Sequence, residues 1–141
     1  MFISRAIVKY DDETDILRAH IEGDLDKYYK KLFERENHLV QKMWCGRYGA
    51  HITIYRPEIH GVTTNWPQKY DGDIVEFQYN PNQIYQGGHY RGFIGFYLPV
   101  YSFEIESIKK NLGIWDKEGD SLHLTLFHNK KEVYEKQKSG Y

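Results

Sequence analysis

Two five-residue segments of this chain repeat one pattern, and that pattern strongly limits how each segment can fold. They are HITIY at 51–55 and HLTLF at 123–127. Successive side chains of a β-strand point to opposite faces, so each segment as a strand has an aliphatic face and a face with histidine, threonine and an aromatic residue. Both segments are therefore predicted to be strands that place their aliphatic face in the core.

The polar faces of the two segments need an explanation. One carries His51 and Thr53, and the other carries His123 and Thr125. A buried imidazole or hydroxyl needs a hydrogen-bonding partner, so one interpretation is two half-buried strands whose polar side chains are satisfied. The other is a pair of faces that perform chemistry, and the repetition of the pattern on two predicted strands favours it.

A phosphodiester is the substrate that such a pair suits. In-line displacement at phosphorus needs a base beside the attacking oxygen and an acid beside the leaving oxygen, and two imidazoles can divide these roles at neutral pH. Each threonine hydroxyl can donate to a non-bridging phosphate oxygen as charge develops. This interpretation predicts His51, Thr53, His123 and Thr125 as catalytic residues, with no metal and no cofactor.

The paired motifs, HITI at 51–54 and HLTL at 123–126, resemble those of the 2H phosphoesterase superfamily, also called LigT-like. The resemblance implies an α+β fold of two similar lobes, with antiparallel sheets that form a central cleft and helices outside, as one domain over 1–141. It also implies a metal-independent phosphodiesterase that acts on nucleotides or RNA ends.

The stretch SRAIVKYDDETDILRAHIEGDL and the short length are similar to phage members that degrade the cyclic oligonucleotide messengers of bacterial anti-phage (CBASS) signalling. That similarity implies cleavage of 3′,5′ linkages in cyclic di- or trinucleotides such as cyclic GMP–AMP, and hence immune evasion in the cytoplasm of a host cell.

Other functions remain open on the sequence alone. One is a phosphodiesterase that acts on 2′,3′-cyclic phosphates or 2′,5′ linkages at RNA ends. For a phosphodiesterase of 3′,5′ linkages, the nucleophile is either water or the substrate's own 2′-hydroxyl. Another is a protein that binds a cyclic nucleotide without cleaving it, and a third is an interaction domain with structural motif strands. Intact histidines in both motifs favour an enzyme over a binder, because a binder needs no acid–base pair.

Net charge, cysteine content and hydropathy limit which partners and which cellular location are expected. The chain has 141 residues with 19 basic and 20 acidic ones, a net charge of −1, which argues against a broad grip on long nucleic acid. Its one cysteine, Cys45, cannot form an internal disulfide, so a cytoplasmic location is expected. No apolar run is long enough to span a bilayer, so no membrane partner is expected.

Five further residues are candidates for substrate binding. Tyr55 and Phe127 end the two motifs and could stack on bases, as aromatic residues do with single-stranded nucleotides. Arg56 follows the first motif, and Arg91 lies in the glycine-rich segment GGHYRG, where either could approach a phosphate. Trp66 lies in a predicted loop and could be a base platform. The alternative for each is an ordinary structural or solvated position.

His20, His38, His60 and His128 lack a matched motif and are predicted to be surface or capping residues. A metal site built from His51, His60, His123 and His128 is conceivable, but the spacing matches no known ligand module.

The rest of the chain is predicted to alternate strands with two helices, which is typical of α+β folds. Apolar residues at helical spacing predict one helix over 11–36, and Gly113 is predicted to end the other. The predicted strands cover 2–10, 38–45, 49–55, 74–79, 93–100 and 121–129. The predicted helices cover 11–36 and 102–113, the predicted loops cover 56–73 and 80–92, and the tail after 129 is expected to be polar and partly helical.

Overall fold

The structure is a computed structural model that describes residues 2–21, 27, 28, 31, 35, 50–63, 65–90, 93–114 and 122–130. Its strands are β1 Phe2–Asp11, β2 Ile16–Ile21, β3 His51–Tyr55, β4 Ile74–Tyr79, β5 Tyr85–Tyr90, β6 Phe93–Tyr101 and β7 His123–Lys130. Its short helices are α1 Pro57–His60 and α2 Phe103–Asn111, and a 3₁₀ helix covers Pro67–Tyr70.

Six of these strands form a closed antiparallel barrel. The order around the sheet is β4-β1-β2-β3-β7-β6, and β4 also pairs with β6, which closes the ring. Strand β5 pairs with the edge of β6 that lies opposite β7. The expectation of a two-lobed α+β fold with a central cleft is therefore wrong. The physical reason is that β4 pairs with both β1 and β6, so the strands form one continuous ring instead of two separate sheets.

The barrel interior is filled by alternate residues of its strands. Ile52 and Leu124 are fully buried there, and Phe77 and Phe96 are almost fully buried. Helix α2 adds Ile105 and Ile108 to the same hydrophobic cluster, and its C-cap residue Leu112 joins them. Because residues with the opposite parity point away from this cluster, the motif strands have one face in the core and one face on the outside of the barrel.

The predicted helix over 11–36 is wrong in its first half. Strand β2 pairs antiparallel with β1, from Ala6 opposite Ile21 to Asp11 opposite Ile16. Leu17 and Ile21 are four residues apart, and that spacing keeps two residues on one face of a strand as well as of a helix. Pairing with a strand on each side decides between the two. In the second half, Lys27, Tyr28, Lys31 and Arg35 are helical.

Several predicted elements are confirmed. Strands β1, β3, β4, β6 and β7 lie where alternation predicted them, within two residues at their ends. Helix α2 begins after Ser102, whose hydroxyl accepts a hydrogen bond from the Ile105 amide at 3.1 Å. Gly113 has a φ of 71°, the left-handed conformation expected of a residue that follows a helix.

Both predicted loops are wrong in part. Tyr85–Tyr90 forms β5 within the predicted loop over 80–92, and the short helices Pro57–His60 and Pro67–Tyr70 lie within the predicted loop over 56–73. Gly87 and Gly88 interrupt the alternation of side chains in β5, so the sequence pattern did not predict a strand there. The predicted strand 38–45, most of the turn after Gly113 and the tail after 130 lie outside the described residues.

Candidate active site

The two motif strands are neighbours in the barrel and run antiparallel. His51 of β3 lies opposite Thr125 of β7, and Ile52 lies opposite Leu124. In that register the next residues, Thr53 and His123, fall opposite each other. Tertiary structure thus brings together the four residues that the sequence analysis selected, although 72 residues separate the two motifs along the chain.

A local twofold axis relates the two motifs. It passes between Ile52 and Leu124, since a rotation about the normal to an antiparallel pair exchanges the two strands. The rotation carries His51 onto His123 and Thr53 onto Thr125. The histidines therefore occupy one diagonal of a four-residue rectangle, with their Cα atoms roughly 8 Å apart from standard strand spacings, and the threonines occupy the other diagonal.

This rectangle lies on the outside of the barrel. Ile52 and Leu124, which separate the motif residues, are fully buried in the core. His51, Thr53 and Thr125 are half-buried on the other face, and His123 is exposed. The expected cleft between two lobes is thus replaced by an outer face of one barrel, and this face is the candidate active site.

Strand β2 borders the β3 side of the site. His20 lies opposite His51, with ring centroids 6.3 Å apart, and Arg18 lies opposite Thr53. Arg18 is 7% exposed. Neither residue was predicted for the site, because the apolar spacing over 11–36 predicted a helix there. The signal that could have found them is the alternation of LRAHI, in which Arg18 and His20 share one strand face.

Strand β6 borders the β7 side. Tyr97 lies opposite Thr125, and Pro99 lies opposite His123. The Tyr97 ring approaches the His123 ring, with centroids 5.1 Å apart. On the next strand, Tyr85 lies opposite Tyr97 with ring centroids 6.0 Å apart. Neither tyrosine was predicted for the site, because nothing in the sequence shows which strand neighbours β7.

Tyr55 does not share the face of His51 and Thr53. The register between β2 and β3 shifts near Leu17 and Arg18, so β3 carries an extra residue there, and both Ile54 and Tyr55 lie fully buried in the core. The Tyr55 hydroxyl donates to the Gly61 carbonyl at 2.9 Å and accepts from the Thr63 amide at 3.2 Å. A fully buried ring leaves no face for a base, so Tyr55 is not part of the site.

Of the other four substrate-binding candidates, the structure places Arg56, Trp66 and the backbone of Phe127. Arg56 is the N-cap residue just before α1, and its backbone amide donates to His60 Nδ1 at 3.0 Å. Trp66 is 71% exposed, but it lies beside Asn111 at the end of α2. Phe127 lies on β7 opposite Phe96, beyond a register shift. The side chain of Phe127 and the whole of Arg91 lie outside the described part of the structure.

The hairpin of β1 and β2, which carries Arg18 and His20, has two side chains with shifted pKa values near its turn, Tyr10 and Asp11. The Tyr10 hydroxyl donates to Asp15 Oδ1 at 2.5 Å, and this hydrogen bond, with smaller contributions from burial and the Asp15 charge, raises the pKa of Tyr10 to about 12. Asp11 Oδ1 accepts a hydrogen bond from the Glu13 amide at 3.0 Å, which lowers the pKa of Asp11. Asp15 itself has a φ of 60°.

Neither a metal cluster nor a membrane span is found in the described ranges. In those ranges no three His, Cys, Asp or Glu side chains are grouped so that they could hold a metal ion. Of the four histidines considered for a metal site, His60 instead accepts the Arg56 amide and stacks on Tyr55 with centroids 6.0 Å apart. No helix among these residues is both long and apolar enough to cross a membrane.

Comparison with known proteins gives no relative. No protein-family model matches the chain, no curated protein is similar to it, and no solved structure matches it. The likeness to the 2H phosphoesterases therefore consists of sequence features alone, the two motifs and the softer similarity of SRAIVKYDDETDILRAHIEGDL, and any functional argument depends on the geometry of the site.

Proposed function

We propose that this protein is a metal-independent phosphodiesterase whose acid–base pair is His51 and His123. One observation carries the proposal: the twofold arrangement of β3 and β7 sets each motif histidine across from the threonine of the other motif. Structural strands would need no such matched arrangement, whereas in-line displacement at phosphorus needs two proton-transferring groups on opposite sides of one centre.

In this proposal the phosphate lies over the middle of the rectangle. One imidazole takes the proton of the attacking oxygen while that oxygen bonds to phosphorus. The other, protonated, imidazole gives its proton to the leaving oxygen as the bond from phosphorus to that oxygen breaks. Thr53 and Thr125 donate hydrogen bonds to the two non-bridging oxygens, whose charge they stabilise.

The substrate that we propose is a cyclic di- or trinucleotide with 3′,5′ linkages, and the cellular role is phage counter-defence. Such a ligand has few phosphates, so it needs no broad basic surface, in agreement with the net charge of −1. Arg18, beside Thr53, supplies a permanent positive charge at the border of the site. His123 is the exposed member of the four, so a compact ring can reach the acid–base pair from that corner.

The test is a turnover assay on the full chain in excess EDTA. Separate samples receive cyclic GMP–AMP or a short RNA that ends in a 2′,3′-cyclic phosphate, and the products are separated by chromatography. We expect linear products from cyclic GMP–AMP, and none from a His51→Ala, His123→Ala double variant. Opening of the RNA end alone would reassign the substrate to RNA ends, and activity that EDTA abolishes and one divalent metal restores would refute the two-histidine mechanism.

A further inference from the structure

An aromatic surface continues the site across β6 and β5. Tyr97 lies opposite Thr125, and Tyr85 lies opposite Tyr97, so the three side chains form one row across three strands. Ring contacts join the row to the acid–base pair, with Tyr97 5.1 Å from His123 and 6.0 Å from Tyr85 between centroids.

This pair of tyrosines is not needed to fill the core. Tyr85 is 47% exposed and Tyr97 is half-buried, whereas their neighbours Phe96 and Leu98 on β6 are buried in the barrel interior. A cross-strand tyrosine pair can simply stabilise a sheet. Here, however, the pair lies next to the position of the phosphate and keeps ring surface open to solvent.

We infer that Tyr85 and Tyr97 form a platform on which one nucleobase of the substrate stacks while its phosphate lies between His51 and His123. The inference rests on the proposed function, since the phosphate position comes from it. Adjacent strands are ~4.8 Å apart, so Tyr97 lies one strand and Tyr85 two strands, ~10 Å, from Thr125. A base linked through its sugar to a phosphate over the rectangle falls within that span.

Among the described residues, the platform lies on one side of the site, toward β6 and β5. The local twofold axis carries Tyr97 onto the position of Arg18 and Pro99 onto the position of His20, because these residues lie opposite the corresponding motif residues. A nucleobase of the substrate can therefore stack on an aromatic surface toward β6, while a negatively charged group of the substrate can bind near Arg18 toward β2. The substrate is bound in one orientation, although the two motifs themselves are symmetric.

The experiment measures binding of two simple probes, adenosine monophosphate and inorganic phosphate, to the full chain by calorimetry. The variants are Tyr85→Leu, which removes the ring, and Tyr85→Phe, which keeps it. Tyr101→Leu is the matched control, because Tyr101 is a 61% exposed tyrosine at the far end of β6, where it pairs with Gln78 of β4. Thermal unfolding of each variant checks that the barrel is intact.

We expect Tyr85→Leu to weaken binding of adenosine monophosphate by roughly 5- to 150-fold, the range that base–aromatic stacking gives, and to leave phosphate binding unchanged. Tyr85→Phe and Tyr101→Leu should match the unmodified chain within about twofold. Failure of the unmodified chain to bind adenosine monophosphate, or equal binding by folded Tyr85→Leu, would overturn the platform.

The two proposals fail separately. If Tyr85→Leu weakens nucleotide binding but the unmodified chain cleaves no phosphodiester, the platform stands and the hydrolytic function does not. If the chain cleaves cyclic GMP–AMP and Tyr85→Leu binds adenosine monophosphate normally, the function stands and the platform is refuted.

Discussion

The two halves of the site carry the same motif in different surroundings. On the β3 side lies a basic flank, Arg18 and His20 of β2, and on the β7 side lies an aromatic flank, Tyr97 of β6 and Tyr85 of β5. The repeated motif therefore does not give two equivalent histidines. His51 is half-buried beside another imidazole, whereas His123 is exposed beside a phenol ring.

The largest expected effect comes from removing either histidine. His51→Ala and His123→Ala should each lower kcat for cyclic GMP–AMP by roughly 10²–10⁴-fold, because general acid–base catalysis contributes about that much per group. Since the flanks differ, each histidine should have a fixed role, one always as the acid and the other always as the base. A phosphodiester with a p-nitrophenol leaving group needs no acid, so it should restore the rate of the acid variant but not that of the base variant.

Thermal unfolding of both histidine variants is the control. Both side chains lie on the face that points away from the core, so the transition should stay within a few degrees of the unmodified chain. If the activated leaving group restores both variants equally, the two halves are equivalent in function, and the comparison fails.

An intermediate effect is expected from the basic flank. Arg18→Gln should lower kcat/KM by roughly 10- to 100-fold, because hydrogen bonds that involve a charged group are worth about 1.5–3 kcal/mol. Lys9→Gln is the matched control, since Lys9 lies opposite Arg18 on β1 but is exposed. It removes the same charge one strand further from the motifs and should change kcat/KM less than about threefold.

The contrast between these two variants decides whether Arg18 acts on the substrate or only on the fold. Equal, small changes in kcat/KM would mean that Arg18 does not contact the substrate. A loss of thermal stability in Arg18→Gln without a change in kcat/KM of the folded fraction would assign it a structural role.

The smallest effect concerns the hairpin that carries the basic flank. Its Tyr10–Asp15 hydrogen bond requires the protonated phenol, and the folded pKa of Tyr10, about 12, lies above the ordinary value of 10.0. Folding therefore favours the protonated form, so the contribution of the bond is complete below pH 10 and is lost as the pH rises from 10 to about 12.

Tyr10→Phe removes this hydrogen bond and should lower the free energy of unfolding by less than about 1 kcal/mol, because the pair is partly exposed. Urea unfolding of the variant and of the unmodified chain at pH 8 and at pH 11.5 measures the difference, which should shrink at the higher pH. A difference that is the same at both values would show that the bond does not stabilise β1 and β2.

The motif strands, and the side chains that share each of their faces, could be predicted from the sequence. In HITI and HLTL the alternation separates aliphatic from polar residues without any long-range contact, because the period of a strand is a local property. The same holds for α2, where Ser102 and Gly113 mark the two ends through their own backbone and side-chain chemistry.

The residues that surround these strands could not be predicted, because they depend on long-range strand pairing. Leu17 and Ile21 fit a helix and a strand equally well by spacing, and pairing with β1 and β3 selected the strand, which brought Arg18 and His20 to His51 and Thr53. The extra residue of β3 turned Tyr55 into the core. Closure of the ring through β4 and β6 replaced the expected two lobes, because strand pairing depends on residues far apart in the chain and no local pattern encodes it.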